Sequence, residues 1–237
     1  MRVILMAAGY GARISRNINC PKSVLEIEDT NIIRHSVELF LEKNIKVAVV
    51  VGYKRKAIFK ALKGLDVTFY YNPFFKVTNS LASLWFARDF ISLDEDLILG
   101  NADLYWEGDL LQKLIDEKYP AVMLGDKTKI ETGDYFFKVK SGYIEKYGKN
   151  LTLEERSCEY VGLGKFTTEY IKQGLIKRID DLVWKEGYTM WWENVCYNYI
   201  AEYPVKVLDV DGVFWSEIDY IEDYERILKH IEESKLV

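Results

Sequence analysis

Residues 2–7, RVILMA, run apolar without a break after Arg2, the pattern of a strand covered on both faces. KVAVVVGY (46–53) repeats that pattern, and DVTFYYN (66–72) gives a third strand that Pro73 ends. Between them, NIIRHSVELFLEKN (31–44) carries apolar residues at 32, 33, 37, 39, 40 and 41, a helical spacing, and AIFKALKGL (57–65) predicts a short helix. SLASLWFARDFI (80–91) reads as a helix with Thr78 or Asn79 as its N-cap, and DLILGNAD (96–103) as a fourth strand running into Asn101-Ala102-Asp103. Strand and helix alternate with short connections, which predicts an α/β fold with a parallel sheet and crossover helices. Ligands of such sheets bind beyond the carboxyl ends of the strands, where residues 7–23 and 101–103 both fall.

After about residue 120 the pattern changes. AVMLGD (121–126) is a strand, YFFKVKSGYIEKYG (135–148) a hairpin turning at Ser141-Gly142, and EYVGLGKF (159–166) another strand. Helical patterns follow at about 167–186 and 191–201, then a strand at 205–212 and a closing helix at 220–234. No Gly-, Pro- or Ser-rich linker and no internal repeat divides the chain, so residues 1–237 are expected to form one domain with an elaborated second half.

A formal net charge of −5 argues against a general nucleic-acid or membrane-surface binder. No apolar run is long enough for a membrane span or a signal peptide. Cys20, Cys158 and Cys196 are widely spaced and read as reduced thiols, so the expected location is cytoplasmic. With only two histidines, a His-rich metal site is excluded.

The first strand opens into AAGYGARISRNINCPKS (7–23). Small residues at 7, 8, 9, 11 and 12 allow close approach of a ligand, and Gly9 and Gly11 permit positive φ. A turn there presents several N–H groups to an anion, with Arg13 and Lys22 as cations and Pro21 stiffening the approach of Lys22. The dinucleotide fingerprint is excluded by Ile14, and a P-loop by the lack of Gly-Lys-Ser/Thr. What remains is a strand followed by A-A-G-x-G-x-R, a spacer and P-K.

That motif resembles the nucleotide-sugar pyrophosphorylase superfamily of nucleotidyltransferases. Further segments, NPFFKVTNSLASLWFARDF (72–90), NADLYW (101–106), MWWENV (190–195) and WSEIDYIEDYERI (215–227), are similar to the small bacterial cytidylyltransferases that activate phosphocholine and related headgroups. The resemblance implies a Rossmann-like, GT-A-like sheet flanked by helices, with a nucleotide-binding half (1–120) and an acceptor-binding half (121–237). It implies CTP as nucleotide, a small phosphorylated or phosphonylated acceptor, Mg²⁺ as cofactor and pyrophosphate as product. Leu5, Ala7, Ala8 and Gly9 would hold base and ribose through backbone groups, and Asn79 and Ser80 would face the base. Gly11 and Arg13 would contact the triphosphate. Lys22 would bridge the α-phosphate and the acceptor, and Asp103 and Asp219 would bind the metal. Asn101 stands where choline-type relatives often carry an aspartate.

Asp134, Glu159 and Tyr160 are placed in the acceptor pocket by position alone. Trp191, Trp192 and Glu193, with Tyr188 nearby, suit either a cage for a cationic headgroup or plain packing. Trp85 and Phe86 read as core. Two other functions fit the same loop: a sugar-1-phosphate nucleotidyltransferase using UTP, dTTP or GTP, and a catalytically silent nucleotide-binding regulatory module.

Overall fold

The computed structural model describes residues 1–11 and 19–236; Arg13 lies outside them. In chain order the first half forms β1 (Arg2–Ala7), a 3₁₀ turn at Lys22–Val24, the short ribbon β2 (Glu26–Ile27) and β3 (Thr30–Asn31), α1 (Ile32–Glu42), β4 (Lys46–Val51), α2 (Arg55–Ala61), β5 (Val67–Tyr71), α3 (Ser80–Phe86), β6 (Leu97–Asn101), β7 (Leu104–Trp106) and α4 (Gly108–Asp116). The second half adds β8 (Ala121–Asp126), β9 (Phe136–Lys140), β10 (Tyr143–Gly148), β11 (Cys158–Phe166), α5 (Thr168–Lys172), α6 (Leu175–Trp184), α7 (Asn194–Tyr197), β12 (Lys206–Asp209), β13 (Trp215–Glu217) and α8 (Ile221–Ser234).

Nine strands make one sheet in the order β5-β4-β1-β6-β11-β8-β12-β10-β9. The first four are parallel, as the alternating pattern predicts. From β6 onward the sheet is mixed: β11 pairs antiparallel with both β6 and β8, and β12 returns parallel to β8. Two cores follow from the alternation along β1. Val3 and Leu5 point to one face, with Phe40, Trp106 and Leu110. Ile4 points to the other, with Leu99, Met123, Phe166 and Trp192.

Several predicted elements are cut short for local reasons. The helical stretch at 167–186 breaks at Gly174, whose φ of 101° ends α5 and starts α6. The helix at 191–201 shrinks to α7. The hairpin turns at Ser141-Gly142 with φ of 53° and 88°, the positive pair that a two-residue turn requires. Among the described residues no helix is long and apolar enough to cross a membrane.

The elements missed by pattern reading are short, and two of them build the site. β7 and β13 pair as a separate antiparallel ribbon, with Leu104 opposite Glu217. The Ile218 N–H donates to the Asp103 carbonyl at 3.0 Å, which places Asp103 beside Asp219.

Gly52, at the end of β4, packs directly on the β1 loop. The Tyr53 N–H donates to the Ala8 carbonyl at 3.0 Å. A Cβ at position 52 would stand 2.6 Å from that oxygen and 2.8 Å from the Phe75 Cβ. Gly52→Ala is therefore expected to cost about 1–3 kcal/mol, as overpacking does, and to displace Ala8. A lowered denaturant midpoint together with weaker nucleotide binding checks it.

Candidate active site

The carboxyl ends of β1 and β6 open on a cavity of about 230 Å³. A recess of about 70 Å³ extends it beneath the β1 loop, lined by Ala7, Gly11 and Pro21 among others. Lys22 lies at their junction. Pro21 enters the 3₁₀ turn at φ −59°, and the Lys22 stem packs against Gly11, whose φ is 65°. A Cβ on Gly11 would meet the lysine Cγ at 3.0 Å. Gly9 is not in the left-handed region; space lies open where its Cβ would be, so its use is clearance for a ligand rather than a turn.

The Lys22 Nζ donates to Asp219 Oδ1 at 2.7 Å and to the Ile218 carbonyl at 2.6 Å, and pairs with Asp103 Oδ2 at 2.8 Å. Burial alone would pull the ammonium down, but the charges of the two aspartates outweigh it and hold it above the ordinary lysine value. Glu217 is the third carboxyl here. Burial first, then the charges of Asp103 and Asp219, push it well above the usual carboxylate range. Asp103 and Asp219 are two hard-oxygen donors already bridged by a cation, a pair whose chemistry would suit Mg²⁺.

Part of the cavity wall is aromatic. Tyr135, Tyr160, Trp191 and Tyr197 line it, with Glu193 among them. Glu193 is only 6% exposed. Burial raises its carboxyl to about 7, against the lowering effect of its own backbone N–H and of Tyr160. At the rim, Lys149 pairs with Asp134 at 2.6 Å and stands 5.6 Å over the Trp191 ring.

The 187–192 segment docks on the first turn of α3. Asn79 accepts from the Ser80 N–H, while the Asn79 and Leu81 N–H groups donate to the carbonyls of Tyr188 and Met190. The Ser80 hydroxyl accepts from the Trp192 N–H at 2.8 Å. These contacts satisfy helix N-terminal groups and lock the two halves together.

Residues 3–148 match the family described as the MobA-like NTP transferase domain. The chain belongs to that family. This NTP transferase is 28% identical to the CTP:phosphoglutamine cytidylyltransferase of Campylobacter jejuni, over 95% of its own length and 98% of the relative's. It is 24% identical to the choline-phosphate cytidylyltransferase of Haemophilus influenzae, over 99% of both chains. Among solved structures it is similar to the CTP:phosphocholine cytidylyltransferase from Streptococcus pneumoniae, with a TM-score of 0.77, 18% identity, and coverage of 97% and 98% of the two chains. At that identity the likeness shows the fold, which is the nucleotidyltransferase fold that the motif implies.

In this NTP transferase the predicted residues Ala8, Gly9, Lys22, Asn79, Ser80, Asp103, Asp134, Tyr160, Trp191, Glu193 and Asp219 all line the main cavity. Leu5 does not. Its side chain is in the core and its backbone is paired with β4 and β6, while Met6, whose side chain points the other way, lines the wall. Glu159 also stays off the wall. It accepts from the Asp134 N–H at 2.8 Å and so holds the loop that carries Asp134.

Of the two readings open for Trp192, acceptor cage or packing, the structure gives packing, so it is not an acceptor-binding residue. It is fully buried against Phe166, and its Nε1 donates to Asn101 Oδ1 at 3.1 Å. Asn101 in turn donates to Glu217 at 3.1 Å, an orientation that an aspartate could not supply. Trp192→Ala is therefore expected to cost about 3–5 kcal/mol of stability through cavity formation, damaging nucleotide and acceptor binding alike. Equilibrium unfolding of the variant checks it.

Sequence reading missed Glu217, Tyr135, Lys149, Tyr197 and Asn72, all on the cavity wall. Glu217 had a weak signal: it is a carboxyl two residues before Asp219, at the end of β13. Asn72 stood before the Pro73 break. It is buried and donates to Thr78 and Ser83, both at 3.0 Å. Tyr135, Lys149 and Tyr197 come from separate elements and had none.

Proposed function

We propose that this NTP transferase is a Mg²⁺-dependent cytidylyltransferase that joins CMP from CTP to a small phosphorylated or phosphonylated headgroup carrying a cationic end. One observation carries the reading. The Lys22–Asp103–Asp219 cluster shares a single cavity with a buried carboxyl set among aromatic rings. The first suits phosphoryl chemistry and the second a small cation. The relatives whose names give CTP and phosphorylated acceptors over nearly the full chain support it.

In this reading an acceptor phosphate or phosphonate oxygen attacks the α-phosphorus of CTP. A new P–O–P bond forms, the bond to the β-phosphate breaks, and pyrophosphate leaves with the electron pair. Lys22 contacts the α-phosphate and the incoming oxygen and stabilises the charge that develops between them. Ala8 and Gly9 offer backbone groups to ribose and base, Asn79 and Ser80 face the base, and Arg13 serves the departing pyrophosphate. Asp103 and Asp219 would hold Mg²⁺, which supplies charge neutralisation at the triphosphate when bound. Residues 1–120 then form the nucleotide half and 121–237 the acceptor half.

Pyrophosphate release across CTP, UTP, dTTP, GTP and ATP, each with aminated phosphoesters, phosphonates and sugar 1-phosphates, tests the proposal. The expected signal is confined to CTP with aminated acceptors. Turnover only of sugar 1-phosphates would replace the acceptor assignment, and nucleotide binding without any turnover would make the chain a binding module.

A further inference from the structure

The net charge of −5 hides an uneven distribution. Residues 52–65, GYKRKAIFKALKGL, carry Lys54, Arg55, Lys56, Lys60 and Lys63 and no acidic residue, so the rest of the chain stands at −10, with 27 of the 32 cations against all 37 acids. The stretch holds α2 and the turn into β5, and β5 is an edge strand of the nine-stranded sheet. Along α2 and its final turn, Lys56, Phe59, Lys60 and Lys63 follow the spacing of one helix face and are all exposed, while Ile58 and Leu62 are buried on the other side.

Among the described residues Lys56, Lys60 and Lys63 form no ion pair, although Asp66 lies only three residues beyond Lys63. Aromatic rings stand at water between these cations. Phe59 is 40% exposed and Phe69, on β5, is 38% exposed; the two rings meet edge to face at 4.8 Å. Tyr71, on the same face of β5 as Phe69, is 43% exposed, with the Arg55 guanidinium 4.0 Å over its ring. Neighbouring apolar rings left at the surface and flanked by unpaired cations mark an interaction surface.

Charge and ring geometry choose the partner. A second copy of the chain would set one group of cations against another and be repelled. A nucleic acid stacks its bases on open ring faces, and here Arg55 covers Tyr71 while Phe59 and Phe69 close on each other. A bilayer surface bearing anionic headgroups suits both features: lysine ammonium groups reach the headgroups, and lysine stems and phenyl rings settle at the acyl boundary. We infer that the edge formed by α2 and β5 docks this protein on an anionic lipid surface. The acidic remainder of the chain is repelled by the same surface, which turns this edge toward it. The inference is independent of the reaction proposed above.

The test is flotation of the whole protein with vesicles of phosphatidylcholine alone and of phosphatidylcholine mixed equally with phosphatidylglycerol. Binding is expected only to the anionic vesicles, and is lost as salt is raised from about 0.05 to about 0.5 M. The Lys56→Gln/Lys60→Gln/Lys63→Gln variant should bind about a hundredfold more weakly, since each charge near such a surface contributes roughly fivefold. Phe59→Ser/Phe69→Ser should weaken binding while keeping its salt dependence. None of these five residues lines the main cavity, and an unchanged circular dichroism spectrum shows that each variant is folded. No flotation with the anionic vesicles at low salt, equal flotation with the neutral ones, or undiminished flotation of the triple variant overturns the inference. Binding of polyuridylate without flotation also overturns it and gives the edge to nucleic acid.

Discussion

Lys22→Met is expected to lower kcat about 10³-fold, the scale seen when one preorganised charge is removed from a reacting centre. Methionine keeps the unbranched stem that packs on Gly11, so the loop retains its shape and only the charge is lost. The same change leaves Asp103, Glu217 and Asp219 facing one another without the ammonium that bridges two of them at 2.8 and 2.7 Å. Removing one partner of a buried ion pair costs up to about 3–5 kcal/mol, and the partial exposure of these side chains puts the expected loss below that. A divalent cation that binds the carboxylates should then stabilise the variant more than the wild type. The checks are single-turnover kinetics with CTP and thermal unfolding with and without Mg²⁺. A kcat within threefold of wild type would remove Lys22 from the reaction.

Glu193→Gln is the second large effect, and its sign depends on pH. The folded carboxyl titrates near 7, against 4.5 as the ordinary value, because burial penalises its charged form. Tyr135, Tyr160, Tyr197 and Cys196, which face it, are all pushed upward and stay protonated at neutral pH. Between these two values the folded state holds a proton that the unfolded chain has released. The stability contributed by the neutral carboxyl is complete below about 4.5 and is lost as pH rises through 7. At pH 8 the ligand-free glutamine variant is therefore expected to exceed wild type by about 3 kcal/mol, with little difference at pH 5. Acceptor affinity runs the other way. A cationic acceptor needs the ionised carboxylate, so its KM should fall in the wild type as pH rises from 6 to 8, and stay high and flat in the variant. Denaturant unfolding and acceptor KM at three pH values check both halves; a glutamine variant with wild-type acceptor KM would end the role of Glu193.

Local signals account for much of the architecture. The apolar runs at 2–7 and 46–53, the cap at Thr78 or Asn79 and the turn at Ser141-Gly142 are each decided by neighbours in the chain, and the structure keeps all four, with β4 ending at Val51 and Asn79 as the cap. The glycine-rich loop with Pro21-Lys22 was legible because a backbone that must approach an anion tolerates few residue types. β7 and β13 were not legible, since three-residue strands carry too little periodicity to register.

Adjacent Trp191 and Trp192 show where the boundary lies. Composition marks both as large and amphipathic, and neither spacing nor charge separates them. Only the docking of residues 187–192 on α3 turns Trp191 toward the cavity and Trp192 into the core, where Asn101 takes its N–H. The nearness of Asp103 to Asp219, and of Glu193 to Tyr135 and Tyr160, has the same origin. Periodicity states which face of an element is buried. Which distant element covers that face depends on pairing across the sheet, an energy shared among many residues and carried by no short stretch of the chain.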